Sequence, residues 1–210
     1  MSKIISLHVP KTAGTSFHLI MQKQYKSSKI LDMKPIVKRC ENVLIEKKDF
    51  SMYGEEFLHG HFTLLNFEYD LRWKYLIWLR NPVERVISHY FYFKVKPIAA
   101  YVHPLEYKIK YEKMSLVDFI QVPCMQNLQS FYMNGSDNID KFDFIGITEY
   151  FDKSIDILSE KLNLDLQTSY KKERINVHKK DIDNNIKKLI QKINEEDCDL
   201  YSQVFSSIKN

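Results

Sequence analysis

Residues 4–17 read IISLHVPKTAGTSF: a short apolar run, a turn of small and polar residues, and the beginning of a helix. This order is typical of a phosphate-binding turn, because the amide N–H groups at a helix N-terminus attract anions. The common nucleotide-triphosphate loop is GxxxxGK[ST], with its lysine after the second glycine. Here Lys11 comes before the only glycine of the turn, Gly14. The turn therefore predicts a site for a different anion.

Each residue type in this turn suits an anionic ligand. Small residues at Ala13 and Gly14 let backbone N–H groups come close to an anion. Helix residues 15 and 16 carry unpaired N–H groups and the positive end of the helix dipole. We expect the anion to be bound by Lys11, Thr12, Ala13, Gly14, Thr15 and Ser16. The alternative is an ordinary strand-to-helix loop with a Thr or Ser cap.

The bulk composition fits one globular domain over residues 1–210. A formal net charge of +4 suits an anionic ligand but does not by itself predict nucleic-acid binding. No apolar stretch approaches the roughly 20 residues that span a bilayer, so no membrane span is expected. The three cysteines Cys40, Cys124 and Cys198 are far apart in sequence, which argues against a disulfide or a zinc site. These features favour a cytoplasmic protein.

Strand-like and helix-like segments alternate along the chain, which predicts an α/β fold with a parallel central sheet flanked by helices. Ligands bind outside the carboxyl ends of the strands in such sheets. Residues 95–113 contain tyrosines, lysines and two prolines and are expected to form a surface excursion. The predicted strands are 4–8, 29–33, 57–62, 74–80 and 142–147, and the predicted helices 15–25, 36–43, 116–121, 125–133, 151–162 and 183–194.

A second motif, LRNPVERVISHY at residues 79–90, follows another apolar run. Asn81 is a good N-cap, Pro82 suits the first helical position, and Glu84 can close a capping box. A helix is therefore predicted to begin directly at the end of a strand. Arg80 offers a planar fork of donors that suits phosphate, to which the Ser88 hydroxyl adds one more. The alternative is a surface ion pair for Arg80 and a solvated Ser88.

Together these motifs resemble the sulfotransferases that use 3′-phosphoadenosine 5′-phosphosulfate (PAPS), in their carbohydrate branch. HVPKTAGTS looks like the 5′-phosphosulfate loop of that family, which has a P-loop-like fold. LRNPVERVISHY looks like its 3′-phosphate element, which implies that Arg80 and Ser88 bind the ribose 3′-phosphate. Arg85 lies on the same helix face as Ser88 but ranks lower, because Glu84 and solvent are equally available to it.

FLHGHF at residues 57–62 resembles the HGH stretch of the uronyl 2-O-sulfotransferases, such as the heparan sulfate enzyme. The resemblance implies that His59 and His61 are catalytic. Alternate residues of a strand point to the same side, and histidine is a suitable base near neutral pH. We expect His61 to be the base and His59 to assist or orient it. The alternatives are a metal pair, for which no third ligand stands at a recognisable spacing, and two histidines that simply end a strand.

Weaker similarities extend along the chain. FIGITEYFDKSIDIL is similar to the strand and helix that follow the cofactor site in this family. RINVHKK, at residues 174–180, is similar to the C-terminal loop that closes over the cofactor, which implicates Asn176 and Lys179. The alternative for that loop is a solvated basic surface. The resemblance as a whole implies a compact, bacterial-type member of the family.

The function expected from the sequence is sulfuryl transfer from PAPS to an acceptor hydroxyl, by in-line displacement and without a metal. His61 would take the proton of the hydroxyl, and Lys11 would stabilise the leaving phosphate. The HGH resemblance favours a saccharide as acceptor. Two other function classes remain open, a P-loop nucleotide kinase or NTPase and a non-catalytic module that binds nucleotides or polyanions.

Overall fold

A parallel five-stranded sheet lies at the centre of the protein, in a computed structural model that describes residues 3–25, 27–45, 47, 49, 53–97, 103–166 and 182–209. The strands are β1 (Lys3–Leu7), β2 (Ser28–Asp32), β3 (Phe57–His61), β4 (Trp73–Leu79) and β5 (Phe144–Ile147). The helices are α1 (Gly14–Gln24), α2 (Pro35–Cys40), α3 (Pro82–Val95), α4 (Pro104–Tyr111), α5 (Leu116–Gln121), α6 (Leu128–Met133), α7 (Phe151–Leu162), α8 (Asn184–Ile193) and α9 (Glu195–Lys209). The predicted α/β fold is thus confirmed.

The two faces of the sheet carry separate hydrophobic cores. Ile4 and Ile5 are neighbours in β1 and fully buried, yet they belong to different cores, because successive strand residues face opposite sides. The core around Ile4 contains residues of α1 and α7, such as Phe17 and Ile155. The larger core around Ile5 contains residues of α3 to α6, α8 and α9. Burial on both faces explains why the strands read as continuous apolar runs.

The strand order β2-β3-β1-β4-β5 places the two main motifs side by side. All strand pairs are parallel, so all carboxyl ends meet at one edge of the sheet. The chain leaves β1 toward β2 on one side and leaves β4 toward β5 on the other. Such a change of direction opens a crevice between neighbouring strands. The turn after β1 and Arg80 after β4 both lie there.

Asn81 caps α3 as predicted. Its Oδ1 accepts the N–H groups of Val83 at 3.1 Å and Glu84 at 3.3 Å, and Pro82 takes the first helical position. The second half of the predicted capping box would be a bond from the Asn81 N–H to the Glu84 side chain, but the structure has a different acceptor. The Asn81 N–H donates to Oε1 of Glu149 at 3.1 Å, because the end of β5 brings that carboxylate beside the end of β4.

The prediction of a surface excursion at residues 95–113 was wrong for residues 104–111, which form α4. Leu105 and Ile109, one helical turn apart, are buried in the larger core. Glu106 is fully buried between Lys96, at 3.3 Å, and Lys110, at 2.6 Å. The helix forms because its apolar residues pack against α3, a partner that local sequence does not reveal.

The other predicted elements are found with small changes of their bounds. The helix expected at residues 125–133 is divided into a 3-10 turn, Pro123–Met125, and α6, which begins after Asn127 in a left-handed conformation. Within the described residues, no helix is both long and apolar enough to cross a bilayer.

Cys40 and Cys124 form a disulfide, which contradicts the expectation that the cysteines stay apart. Their Cα atoms lie 4.9 Å from each other although the residues are 84 positions apart in sequence. The end of α2 packs against the 3-10 turn Pro123–Met125, and this contact brings the sulfurs together. Cys198 is free. The cysteines therefore no longer argue for a cytoplasmic protein, and that location stays a prediction from the other features.

Candidate active site

A cavity of about 540 Å³ opens at the carboxyl edge of the sheet, a volume typical of small-molecule sites. The turn after β1, the end of β3, the end of β4, and α3 all contribute to it. So does the segment that joins β5 to α7. The lining residues are His8, Pro10, Lys11, Ala13, Gly14, Thr15, Ser16, His61, Arg80, Ser88, Tyr92, Thr148, Glu149, Tyr150, Phe151, Asp152 and Lys153.

The turn after β1 holds an uncommon backbone conformation. Lys11 has φ 74° and Ala13 has φ 65°, in the left-handed region that residues with a Cβ rarely adopt. The Thr12 side chain, between them, is fully buried, and its hydroxyl donates to the Val9 carbonyl at 2.9 Å. Alternation of this kind forms a nest of N–H groups that suits an anion. The predicted contact of Thr12 with an anion is therefore limited to its backbone, because its hydroxyl already donates to the Val9 carbonyl.

The N-terminus of α1 faces the same cavity. The first helical hydrogen bond runs from the Phe17 N–H to the Ala13 carbonyl at 3.1 Å. The amides of Gly14, Thr15 and Ser16 precede that bond and so have no acceptor within the helix. No side chain caps this end, and its first turn contains no acidic residue. The helix therefore presents donors and a positive dipole end to a ligand.

Lys11 and Arg80 meet across the crevice between β1 and β4. The Arg80 Nη1 donates to the Lys11 carbonyl at 3.0 Å, and the Lys11 Nζ lies 4.2 Å from the centre of the Tyr92 ring. The ring stabilises the ammonium by a cation–π contact. The Arg80 guanidinium is thus bound to the backbone of the first motif, and the Lys11 ammonium contacts a side chain of α3.

The Arg80 guanidinium is fixed by several weak partners rather than one close carboxylate. Glu149 lies 3.9 Å from Nε and Glu84 lies 4.0 Å from Nη2, both beyond hydrogen-bond distance. Burial lowers the pKa of Arg80, and the two carboxylates oppose that change. Ser88, two turns along α3, is 5% exposed and lines the same cavity. The predicted Arg80–Ser88 pair therefore faces one space.

The His61 side chain has a tautomer set by its surroundings. Its Nδ1 lies 2.8 Å from the carbonyl oxygen of His8, which can only accept, so Nδ1 carries the proton. Nε2 then carries the lone pair. Burial lowers the pKa of His61, while the His8 carbonyl and Asp32 oppose that change. His61 is therefore a neutral imidazole with a proton-accepting nitrogen at the wall of the cavity.

The sequence also matches a known protein family over nearly its whole length. A family model described as "Sulfotransferase family" (Sulfotransfer_2) matches residues 1–204.

The chain belongs to the sulfotransferase family.

The family assignment indicates an enzyme that transfers sulfuryl groups. No curated protein matches the sequence. Among solved structures, a sulfotransferase from Alicyclobacillus acidocaldarius is similar with 12% identity and a TM-score of 0.47, over 100% of this chain and 99% of that one.

The two predicted histidines have different positions in this sulfotransferase. His61 lines the cavity, whereas His59 does not and is only 3% exposed. The Nδ1 of His59 lies 3.0 Å from the Ser6 hydroxyl, and burial holds its pKa well below the ordinary value. Both rings do point to the same side of β3, as expected, and both stack on His8. Contact of His59 with a ligand in the cavity is thus indirect.

His8 and Glu149 are cavity residues that the sequence analysis did not single out. The His8 ring fills the space in which a Gly14 side chain would lie: a Cβ on Gly14 would meet it at 2.0 Å. Gly14 is therefore required to leave room for the His8 ring. Glu149 accepts from the Asn81 N–H and from the Tyr201 hydroxyl, at 3.2 Å. Glu149 lies in the segment FIGITEYFDKSIDIL, whose similarity to the family is the sequence signal for it.

Three further expectations from the sequence concern Arg85, the C-terminal loop residues and a metal pair. Arg85 is fully buried and does not line the cavity, so solvent is not available to it, and Asp197 is the acidic group that raises its pKa against burial. Asn176 and Lys179 lie outside the described residues. Within the described part of the chain, no three His, Cys, Asp or Glu side chains come together as metal ligands.

Proposed function

We propose that this sulfotransferase transfers the sulfuryl group of PAPS to a hydroxyl group of a saccharide. One observation carries the proposal: two separate sets of hydrogen-bond donors with positive charge, and a neutral imidazole, line a single cavity of about 540 Å³. A donor with anionic groups at both its 5′ and 3′ ends needs two such places. The acceptor hydroxyl needs a base, and this base must lie between these two places and the solvent from which the acceptor enters.

The 5′ end of the donor fits the turn after β1. The N–H groups of Thr15 and Ser16 and the ammonium of Lys11 offer donors and positive charge to a phosphosulfate. The ribose 3′-phosphate fits Arg80 and Ser88, since a guanidinium with unoccupied hydrogen-bond directions can bind phosphate through two parallel bonds. Asn176 and Lys179 are proposed as further donor contacts.

The side chains support an in-line displacement. The acceptor oxygen forms a bond to sulfur while its proton passes to Nε2 of His61, which has the lone pair free because Nδ1 is bound to the His8 carbonyl. The bond between sulfur and the bridging oxygen breaks, and the electron pair stays on the leaving 5′-phosphate. Lys11 and the amides of the turn stabilise that charge. Protons and electrons balance without a further reactant.

A saccharide acceptor, of the kind used by the heparan sulfate 2-O branch, is proposed from the HGH motif. His61 is the proposed base, and His59 is proposed to orient it from behind His8. Residues of the β5–α7 segment, such as Tyr150 and Lys153, form the opposite wall and could meet a sugar with a ring face and a charge.

Calorimetry tests the donor. The titrants are 3′-phosphoadenosine 5′-phosphate, AMP and ATP with Mg²⁺. We expect the 3′-phosphate to increase affinity by about 10- to 100-fold over AMP, since charge-assisted hydrogen bonds contribute roughly 1.5–3 kcal/mol. Arg80→Gln should remove most of this increase and leave AMP binding little changed. Arg72→Gln is the matched control, because Arg72 directly precedes β4 at the opposite edge of the sheet and is paired with Asp70.

PAPS with a labelled sulfuryl group then tests the transfer, across polysaccharides, oligosaccharides and phenols. Label in a saccharide supports the proposal. Tighter binding of ATP with Mg²⁺ than of the 3′-phosphorylated nucleotide would favour a kinase or NTPase, and binding without transfer to any acceptor would favour a non-catalytic module.

A further inference from the structure

Four imidazole rings form a column that leads from the cavity into the protein. His61 stacks on His8 with ring centres 4.4 Å apart and an interplanar angle of 20°. His8 stacks on His59 at 4.9 Å and 23°, and His59 stacks on His18 at 5.1 Å and 16°. The column crosses three elements, because His8 follows β1, His59 and His61 belong to β3, and His18 belongs to α1.

His8 has the central place in this column. Its ring stacks on both His61 and His59, while Gly14 leaves room for it. Its carbonyl oxygen also accepts the Nδ1–H of His61 at 2.8 Å. The residue therefore contacts His61 twice, by a hydrogen bond that selects the tautomer and by a flat surface that restricts the tilt of the ring.

We infer that His8 is a positioning residue, whose ring holds the imidazole of His61 in the orientation in which Nε2 can accept a proton from the acceptor hydroxyl. This inference rests on the proposed function, in which His61 is the base. Stacked rings meet through their π faces, so the contact offers no N–H···N bond along which a proton could move from His61 to His8. Orientation is what the contact can supply, and a catalytic group displaced by about 1 Å can lose about 100-fold in rate.

The charged and titratable groups around His61 are compatible with this role. Asp32 of β2 acts to raise the pKa of His61. The His8 ring stacks on the His61 ring, and the His59 ring stacks on that of His8. Burial holds the pKa of His8 well below the ordinary value, and neighbouring His61, His59, His18 and Lys11 add to this. His89 of α3 is electrostatically coupled to His61 and is likewise kept neutral by burial. At neutral pH, His8 is thus a neutral flat ring.

Two substitutions of His8 separate the effect of a flat ring from the effect of the ring nitrogens. His8→Leu places an apolar group of similar size at this position and removes the flat face. We expect kcat to fall about 10- to 100-fold while the donor KM changes less than about 3-fold. His8→Phe restores a flat face without ring nitrogens and should recover kcat to within about 5-fold of the unaltered enzyme. If the larger phenyl ring prevents folding, as judged by circular dichroism, His8→Asn supplies a smaller flat group. His18→Leu is the matched control, since His18 is at the far end of the column, and it should leave kcat unchanged.

Nitrogen-15 NMR of the His61 imidazole gives a readout that needs neither donor nor acceptor. Every variant keeps the His8 carbonyl, so Nδ1–H should stay the tautomer of His61 in all of them. The flat face should show instead in the strength of that hydrogen bond: the unaltered protein and His8→Phe should give one downfield Nδ1–H signal, and His8→Leu a broadened signal shifted upfield. If His8→Leu retains full kcat and the unshifted signal, or if His8→Phe is as slow as His8→Leu, the inference is overturned. If the unaltered protein transfers no sulfuryl group at all, the proposed function fails, and the NMR comparison still decides the role of His8.

Discussion

At the scale of single residues, the site depends on backbone atoms as much as on side chains. The carbonyl of His8 fixes the tautomer of His61, and the carbonyl of Lys11 holds Arg80. The left-handed conformation of Lys11 has an energetic cost, and such cost is commonly found where function requires it. Substitutions that keep the backbone and change only one side chain are therefore the informative ones.

Lys11→Met is such a substitution, since it removes the charge and keeps an unbranched stem against the Tyr92 ring. The positive charge matters most when the bond from sulfur to the leaving phosphate breaks, because negative charge then increases on the bridging oxygen. We expect kcat to fall by about 100- to 1,000-fold, the size of effect seen when a preorganised charge-stabilising donor is removed. Donor affinity should fall by less than about 10-fold, because the amides of α1 remain.

Lys94→Met is the matched control for this prediction, because Lys94 lies on the exposed side of α3 and does not line the cavity. Steady-state sulfate transfer measures kcat, and calorimetry measures donor affinity. Normal turnover of Lys11→Met would mean that the charge of Lys11 does not act on the leaving group.

At the scale of elements, local signals predicted β1, α1, β4 and α3 because the turn and cap residues at their ends are specified by neighbouring sequence. The same reasoning failed for α4, whose helix depends on burial of Leu105 and Ile109 against α3. It also missed His8 and Glu149, which become site residues only when β3 and β5 take their places beside β1 and β4. The pairing of Cys40 with Cys124 is equally a product of tertiary packing. Contacts between distant elements are what local sequence does not encode.

Strand β3 shows how an element positions its histidines. Gly60 has φ 149°, a region open almost only to glycine, and a Cβ at this position would lie 1.9 Å from the carbonyl oxygen of Leu31 in β2. We expect Gly60→Ala to lower the free energy of unfolding by at least about 2–4 kcal/mol, because backbone strain and a collision with a rigid carbonyl add together.

Gly54→Ala is the control for this prediction, since no atom lies within 4 Å of an added Cβ there. Its free energy of unfolding should change by less than about 0.5 kcal/mol. Urea denaturation followed by circular dichroism measures both variants. Equal stability of the two would show that β2 and β3 can separate at Gly60 without cost.

At the scale of the whole molecule, the described histidines are all at least partly buried, including His8 and His61 at the wall of the cavity. Burial lowers the pKa of His8, His18, His59, His61 and His89, and it lowers that of His103 to about 4. In the unfolded chain these groups have pKa values near 6.5. Below that pH the unfolded state therefore binds more protons than the folded state, and stability decreases as the pH falls.

The resulting prediction is a loss of stability between about pH 7.5 and pH 5.5, with little change from about pH 7.5 to pH 8.5. Carboxylates contribute little in this window, because those with lowered pKa values, such as Glu106, lose their stabilising charge only at lower pH. The urea midpoint at half-unit pH steps measures the slope. His89→Phe removes one fully buried imidazole that stacks near Phe93 outside the cavity, so its slope below pH 6.5 should be smaller by up to about 1.4 kcal/mol per pH unit. A midpoint that stays constant down to pH 5.5 in the unaltered protein would mean that these histidines accept protons without unfolding, and the neutral column described above would then not persist in acid.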